Sequence, residues 1–107
     1  MAVGVLQMVP GTTQEQYEQL GEKMFGVRSS EFSSAEAPDG LIMHSAGPTE
    51  DGWQVYDIWE SRDHFQRFLD EHLMPAMQEL GVPVTPDAQP QFYEIYNVVV
   101  TDAAGTT

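Results

Sequence analysis

Trp53-Gln54-Val55-Tyr56-Asp57-Ile58-Trp59-Glu60-Ser61-Arg62-Asp63-His64-Phe65-Gln66-Arg67-Phe68-Leu69 carries two periodicities in succession. Up to Glu60 the run is dense in aromatic and β-branched residues, which suit a pleated, half-buried surface, so it reads as a strand. Ser61 is a suitable helix N-cap, and Asp63 falls in the first turn, where the helix dipole favours negative charge. From there Phe65, Phe68, Leu69, His72, Leu73, Ala76, Met77 and Leu80 recur at i, i+3, i+4, i+7, i+8, i+11, i+12 and i+15, one stripe of an α-helix. Pro75 lies inside this stripe. It removes a backbone donor and crowds the preceding turn, which predicts a kink or break near residues 71–75. Gly81 ends the helix.

On the N-terminal side, Leu41–Ala46 reads as a strand. Gly47-Pro48-Thr49-Glu50-Asp51-Gly52 is a turn signal, so the two strands are expected to form a hairpin. Residues 26–40 hold four serines, Pro38 and Asp39-Gly40; a connection this long is expected to be a binding loop, a lid or a mobile segment. Thr12 and Glu15 have capping-box spacing, and the helix after them places Tyr17, Leu20, Gly21 and Met24 on one side. Ala2–Val9 is apolar except for Gln7, as in a strand buried on both faces. After a proline-rich link over 82–91, Phe92–Val100 reads as a fourth strand. Residues 1–100 are expected to form one domain, and 101–107 a short disordered tail.

The element order is strand, helix, strand, strand, helix, strand. It predicts an α+β, ferredoxin-like βαββαβ fold: a four-stranded antiparallel sheet with two helices on one face. Two helices cover one face, yet the first and fourth strands read apolar at almost every position. A second copy is the simplest cover for the other face, so a homodimer that packs sheet on sheet into an α/β barrel is expected.

Composition narrows the function. Seventeen acidic residues stand against Lys23, Arg28, Arg62 and Arg67, a formal charge of −13, which would repel nucleic acid and anionic membrane surfaces. The lack of cysteine removes thiol nucleophiles, thiolate metal sites and iron–sulfur clusters. No apolar run approaches the ~20 residues of a membrane span, and the N-terminus does not resemble a signal peptide. The expectation is a cytoplasmic protein.

The three histidines are the ionisable groups best suited to proton transfer near neutral pH. His64 is expected at the solvated start of the second helix. His72 lies on the apolar stripe, either as a core histidine bonded to a carbonyl or as a pocket acid or base. For His44 two registers are open. Pairing Ala46 with Trp53 puts His44 opposite Val55, on the face of Asp57 and Trp59, with Asp57 a diagonal neighbour roughly 7 Å away. A one-residue slip puts it beside Tyr56 on the other face. A His44–Asp57 dyad would fix the tautomer and raise imidazole basicity. Asp57 and Glu94, both inside apolar strands, each require a partner or a wet edge, with Arg28, Arg62 or Arg67 as candidates.

The junction Tyr56–Leu69 resembles the third-strand-to-second-helix junction of the dimeric α/β-barrel superfamily that includes the antibiotic-biosynthesis monooxygenases, and the resemblance extends from Val3 to Val99. It implies a small cofactor-independent enzyme acting on an aromatic or polyketide-type metabolite. The haem-degrading branch of that group carries an asparagine, a tryptophan and a histidine where this chain has Gln7, Phe68 and Gln78, so haem degradation is not expected. The aromatic-polyketide branch uses an asparagine and an arginine that find no counterpart here.

The candidate catalytic residues are therefore His44, His72 and Asp57. The candidate pocket residues are Tyr17, Tyr56, Trp59, Phe65, Phe68, Met77 and Tyr96, an aromatic and methionine lining suited to a flat apolar ligand. No cofactor and no metal are expected. A cyclase or isomerase of the same fold, or a non-catalytic ligand-binding or structural dimer, are the alternatives.

Overall fold

β1 (Val3–Pro10) runs up the middle of a four-stranded antiparallel sheet whose order is β2-β3-β1-β4, with β2 Leu41–Pro48, β3 Gly52–Trp59 and β4 Gln91–Glu94. The computed structural model describes residues 1–82 and 89–101. One face of the sheet is covered by α1 (Gln14–Phe25) and by a second helix in two parts, α2 (Arg62–Phe68) and α3 (Met74–Leu80). This is the ferredoxin-like arrangement expected from the order of elements. Residues 83–88 and 102–107, which include most of the expected tail, lie outside the described residues.

The core forms where the helices meet the sheet. Val3, Val5, Trp59 and Phe65 are buried together, with Phe68, Leu69 and Phe92 packed around them. Leu20, Ala76, Met77 and Val82 form a second cluster between α1 and α3.

Three local features depart from the expected pattern. The cap of α1 is one residue later: Thr13 Oγ1 accepts from the Gln16 amide at 3.1 Å, and the Gln16 side chain accepts from the Thr13 amide at 2.9 Å. Gly11, at φ 82°, turns the chain after β1 and frees Thr12 from the cap.

Pro75 does disturb the second helix. The disturbance is a π-helical turn over Leu69–Leu73, in which the Met74 amide reaches back to the Leu69 carbonyl. Such a turn holds more residues than the 3.6 of an α-turn, so it shifts the phase of the helix beyond it. Phe65, Ala76 and Met77 stay buried, while His72 is rotated off the stripe and is exposed.

The fourth strand is also shorter than Phe92–Val100. Its register pairs Glu94 with Val3, and the Ile95 amide donates to the Ala2 carbonyl at 3.0 Å. β1 then has no residues left to pair, so Tyr96, Val99 and Val100 extend past the sheet and are exposed.

Candidate functional site

The β2–β3 hairpin builds the centre of the site. Ala46 pairs with Val55, not Trp53, so His44 lies directly opposite Asp57 rather than on its diagonal. A register shift between Leu41 and Met43 marks a β-bulge. An added residue inverts side-chain alternation. As a result Leu41 and His44, three positions apart, both turn towards the helices, and Ile42 is left at the surface.

His44 Nδ1 is 2.7 Å from Asp57 Oδ1, and Trp59 Nε1 donates to Asp57 Oδ2 at 3.4 Å. The partner that Asp57 requires is thus a histidine and an indole, not one of the arginines. Asp57 is 5 % exposed and Trp59 fully buried, so the carboxylate is held in one orientation. On the other side of the imidazole, the Tyr17 hydroxyl is 2.5 Å from His44 Nε2. Burial, reinforced by the Asp57 and Glu18 charges, pushes the Tyr17 hydroxyl from its ordinary 10 up to about 12. Tyr17 therefore keeps its proton at neutral pH and has it available to donate to an unprotonated Nε2. The Asp57 carboxylate can only accept, so Nδ1 carries a hydrogen and donates it to Asp57. The result is a directed chain, Tyr17 to His44 to Asp57, with Trp59 bracing its far end.

This chain opens onto a cavity of about 320 Å³ between sheet and helices, near the lower end of the range for small-molecule sites. Its wall is mostly apolar, with Tyr17, Phe25, Phe32, Trp53, Trp59 and Phe68 as the aromatic part. Phe32 lies over His44 with ring centroids 5.6 Å apart, and Tyr17 leans on Trp53 at 5.1 Å.

Phe32 comes from the long connection after α1, which is fastened rather than loose. Two short 3₁₀ turns, Ser29–Glu31 and Ser34–Glu36, shape it. The buried Glu18 carboxylate accepts from the Ser30 amide and hydroxyl, each at 2.6 Å. These bonds, followed by the nearby Arg28, hold Glu18 below the ordinary carboxylate range. Arg28 also bridges to Glu15 at 2.8 Å and Glu22 at 3.2 Å.

Of the candidate residues, His44, Asp57, Tyr17, Trp59, Phe68 and Met77 line one cavity. Four do not. His72 is outside it, displaced by the π turn, although its ring sits 5.9 Å from that of Phe68. Phe65 is a core residue with no exposed surface. Tyr56 lies on the opposite face of the sheet, its hydroxyl beside Gly4. Tyr96 is 95 % exposed beyond the end of β4. Glu94 is likewise exposed at a sheet edge.

The sequence reading missed Phe32, whose signal was an aromatic residue alone in a polar loop. It also missed the contact between Tyr17 and His44, which joins elements 27 residues apart. Trp53 Nε1 is buried with no hydrogen-bond partner among the described residues.

Away from the cavity, His64 is half-buried and paired with its own cap, Ser61 Oγ, at 2.7 Å. With Asp39 and Glu60 it forms the one group of donors among the described residues close enough to share a cation, within 4.8 Å, but both carboxylates are exposed.

Solved structures that match over nearly the whole chain include the following two. One is a protein from Deinococcus radiodurans assigned provisionally as an antibiotic biosynthesis monooxygenase, at TM-score 0.57 and 15% identity, covering 94% of this chain and 98% of that one. The other is SnoaB, a cofactor-independent oxygenase from Streptomyces nogalater, at TM-score 0.55 and 14% identity, covering 92% and 95%. This chain has their fold. No protein-family model and no curated protein matches it. No helix among the described residues is long and apolar enough to cross a membrane.

Proposed function

We propose that this protein is a cofactor-independent, monooxygenase-like enzyme that deprotonates an aromatic or polyketide-type metabolite in the cavity. The Tyr17–His44–Asp57 chain, ending in an apolar pocket, is the observation that carries this reading. Tyr17 shields Nε2, so the tyrosine oxygen is the atom that meets substrate. It accepts the acidic ring proton while passing its own to His44 Nε2, and Asp57 stabilises the resulting imidazolium. His44 is thus the base, and Tyr17 carries the proton to it.

The oxygen step needs only the substrate carbanion and dioxygen. The carbanion adds to O2, and the peroxide anion recovers a proton from His44 through Tyr17. Loss of water then turns the ring CH2 into C=O, so that one O2 yields one ketone and one water. The water-poor wall protects the carbanion from premature protonation.

The test is oxygen uptake with a panel of fused-ring ketones that carry an acidic ring methylene. One O2 consumed per ketone formed, with a roughly 100-fold or greater loss in His44→Ala and little change in His72→Ala, supports the proposal. Turnover without oxygen uptake replaces it with a cyclase or isomerase using the same proton chain. Binding without turnover replaces it with a non-catalytic ligand-binding dimer.

A homodimer belongs to the same proposal. The uncovered sheet face carries exposed Met8 and Tyr93, and Tyr96, Val99 and Val100 run on from β4 without a ladder partner. A second copy would cover both. Light scattering should give a dimer mass, and truncation after Ile95 should shift it towards the monomer; a monomeric full chain would sink this part.

A further inference from the structure

We infer that the cavity selects its ligand by charge: it admits rings that are neutral or carry a protonated amine, and it rejects carboxylates and phosphates of the same shape. This inference rests on the ligand-cavity reading above and narrows its substrate class.

All four basic side chains of the protein can be located, and each is engaged elsewhere. Lys23 pairs with Glu79 at 3.3 Å on the helix surface, and Arg28 is taken by Glu15, Glu18 and Glu22. Arg62 lies over the Phe92 ring at 3.8 Å, and Arg67 is 3.8 Å from Asp39. None lines the cavity, and residues 83–88 and 102–107 contain no lysine or arginine.

Two carboxylates do line it, Asp57 deep inside and Asp70 at the exposed rim. Asp57 is bonded to His44 Nδ1 and Trp59 Nε1 and to no lysine or arginine, so no permanent cation faces it. Six aromatic side chains complete the wall, and ring faces attract cations and repel anions. In an apolar enclosure these charges are weakly screened. The chain's net charge of −13 adds a long-range field of the same sign.

This distribution of charge constrains the chemistry. A substrate must arrive with its acidic hydrogen in place, because nothing in the wall would welcome it as a ready-made anion. When Tyr17 and His44 take the proton, the dyad changes from carboxylate and neutral imidazole to an ion pair. The negative charge moves from the dyad to the ligand, and no second anion is created.

The experiment is isothermal titration calorimetry of the full chain at neutral pH with three probes sharing one ring system: 2-naphthalenemethanol, 2-naphthoate and 2-naphthylmethylammonium. The expected result is that naphthoate binds at least about tenfold more weakly than the alcohol. The ammonium probe should bind at least as tightly as the alcohol. Asp70→Asn, at an exposed position, should narrow the alcohol-to-naphthoate ratio. A ratio smaller than about tenfold, or one that Asp70→Asn leaves unmoved, overturns the inference while leaving the cavity as a ligand site. Binding by none of the three overturns the ligand-cavity reading and this inference with it.

Discussion

Replacing Asp57 with asparagine tests the centre of the site with almost no change of shape. Asp57 accepts from His44 Nδ1 at 2.7 Å and from Trp59 Nε1 at 3.4 Å while only 5 % exposed. Asparagine offers one acceptor oxygen and one amide donor, so it cannot serve both N–H groups. If its oxygen serves the indole, its amide faces Nδ1 and drives the imidazole to the other tautomer. Nε2 then carries a hydrogen that confronts the Tyr17 hydroxyl, and the chain of donors is broken.

Losing a hydrogen bond to a charged group costs about 2 kcal/mol. For a domain of this size that corresponds to a melting temperature lowered by roughly 8–16 °C. The Tyr17 midpoint should fall as well, since Asp57 follows burial among the causes that raise it to about 12, but burial alone should keep it above 10. A folded-state pKa raised above the unfolded value contributes stability that is fully present below about pH 10 and is lost as pH rises towards 12. Asp57→Asn should therefore begin at lower stability and lose less of it across that alkaline window. Thermal melts and ultraviolet tyrosinate titration read both effects. A variant that melts with the parent and whose tyrosine titration superimposes on it would refute the proton chain.

Two further substitutions probe its surroundings. Pro75→Ala restores a backbone donor after the π turn; it should favour a continuous α-helix and turn His72 inwards, so His72 should react more slowly with diethylpyrocarbonate than in the parent, and equal reactivity would show that proline does not set the turn. Arg28→Ala removes the shared partner of Glu15, Glu18 and Glu22 and should loosen the 28–37 connection that carries Phe32; limited proteolysis should cut there faster, and ligand affinity should fall with it, whereas an unchanged digestion rate would mean that the Ser30–Glu18 bonds suffice.

The fold was legible because each element carries one clear period, and the change of period at Ser61 marks where strand becomes helix. Tyr17, Trp59, Phe68 and Met77 were readable as cavity residues for the same reason: each belongs to an inward-facing stripe. The errors arose where structure depends on a partner outside the local pattern. Val98–Val100 looks like strand, but pairing stops where β1 runs out of residues. His72 fits an ideal helix, but Pro75 and the π turn change the helix beneath it. The alternation within β2 could not reveal its bulge, because a bulge is defined by the opposite strand. The hairpin register depended instead on where the turn begins: a loop over 47–52 pairs Ala46 with Trp53, whereas the ladder runs on to pair Pro48 with Trp53 and moves the partner of His44 by two residues, from Val55 to Asp57. Phe32 was lost because loops have no period to read.

The bulge between Leu41 and Met43 has a consequence for how such a site could be gained or lost. Substitutions in β2 change which groups sit at the site, whereas the bulge sets which groups can reach it. Ile42, an exposed residue with no part in the chemistry, is the extra residue that lets Leu41 and His44 share a face although they are three positions apart. Ironing the bulge out at constant length, with Leu41 held opposite Trp59, would put His44 opposite Tyr56 on the outer face and leave Asp57 and Tyr17 without the link between them. Deleting Ile42 would not, because Leu41 and His44 would then stand two positions apart in a regular ladder, on one face. A one-residue gap at this point and the bulge that absorbs it therefore compensate each other, and the proton chain survives the change of length.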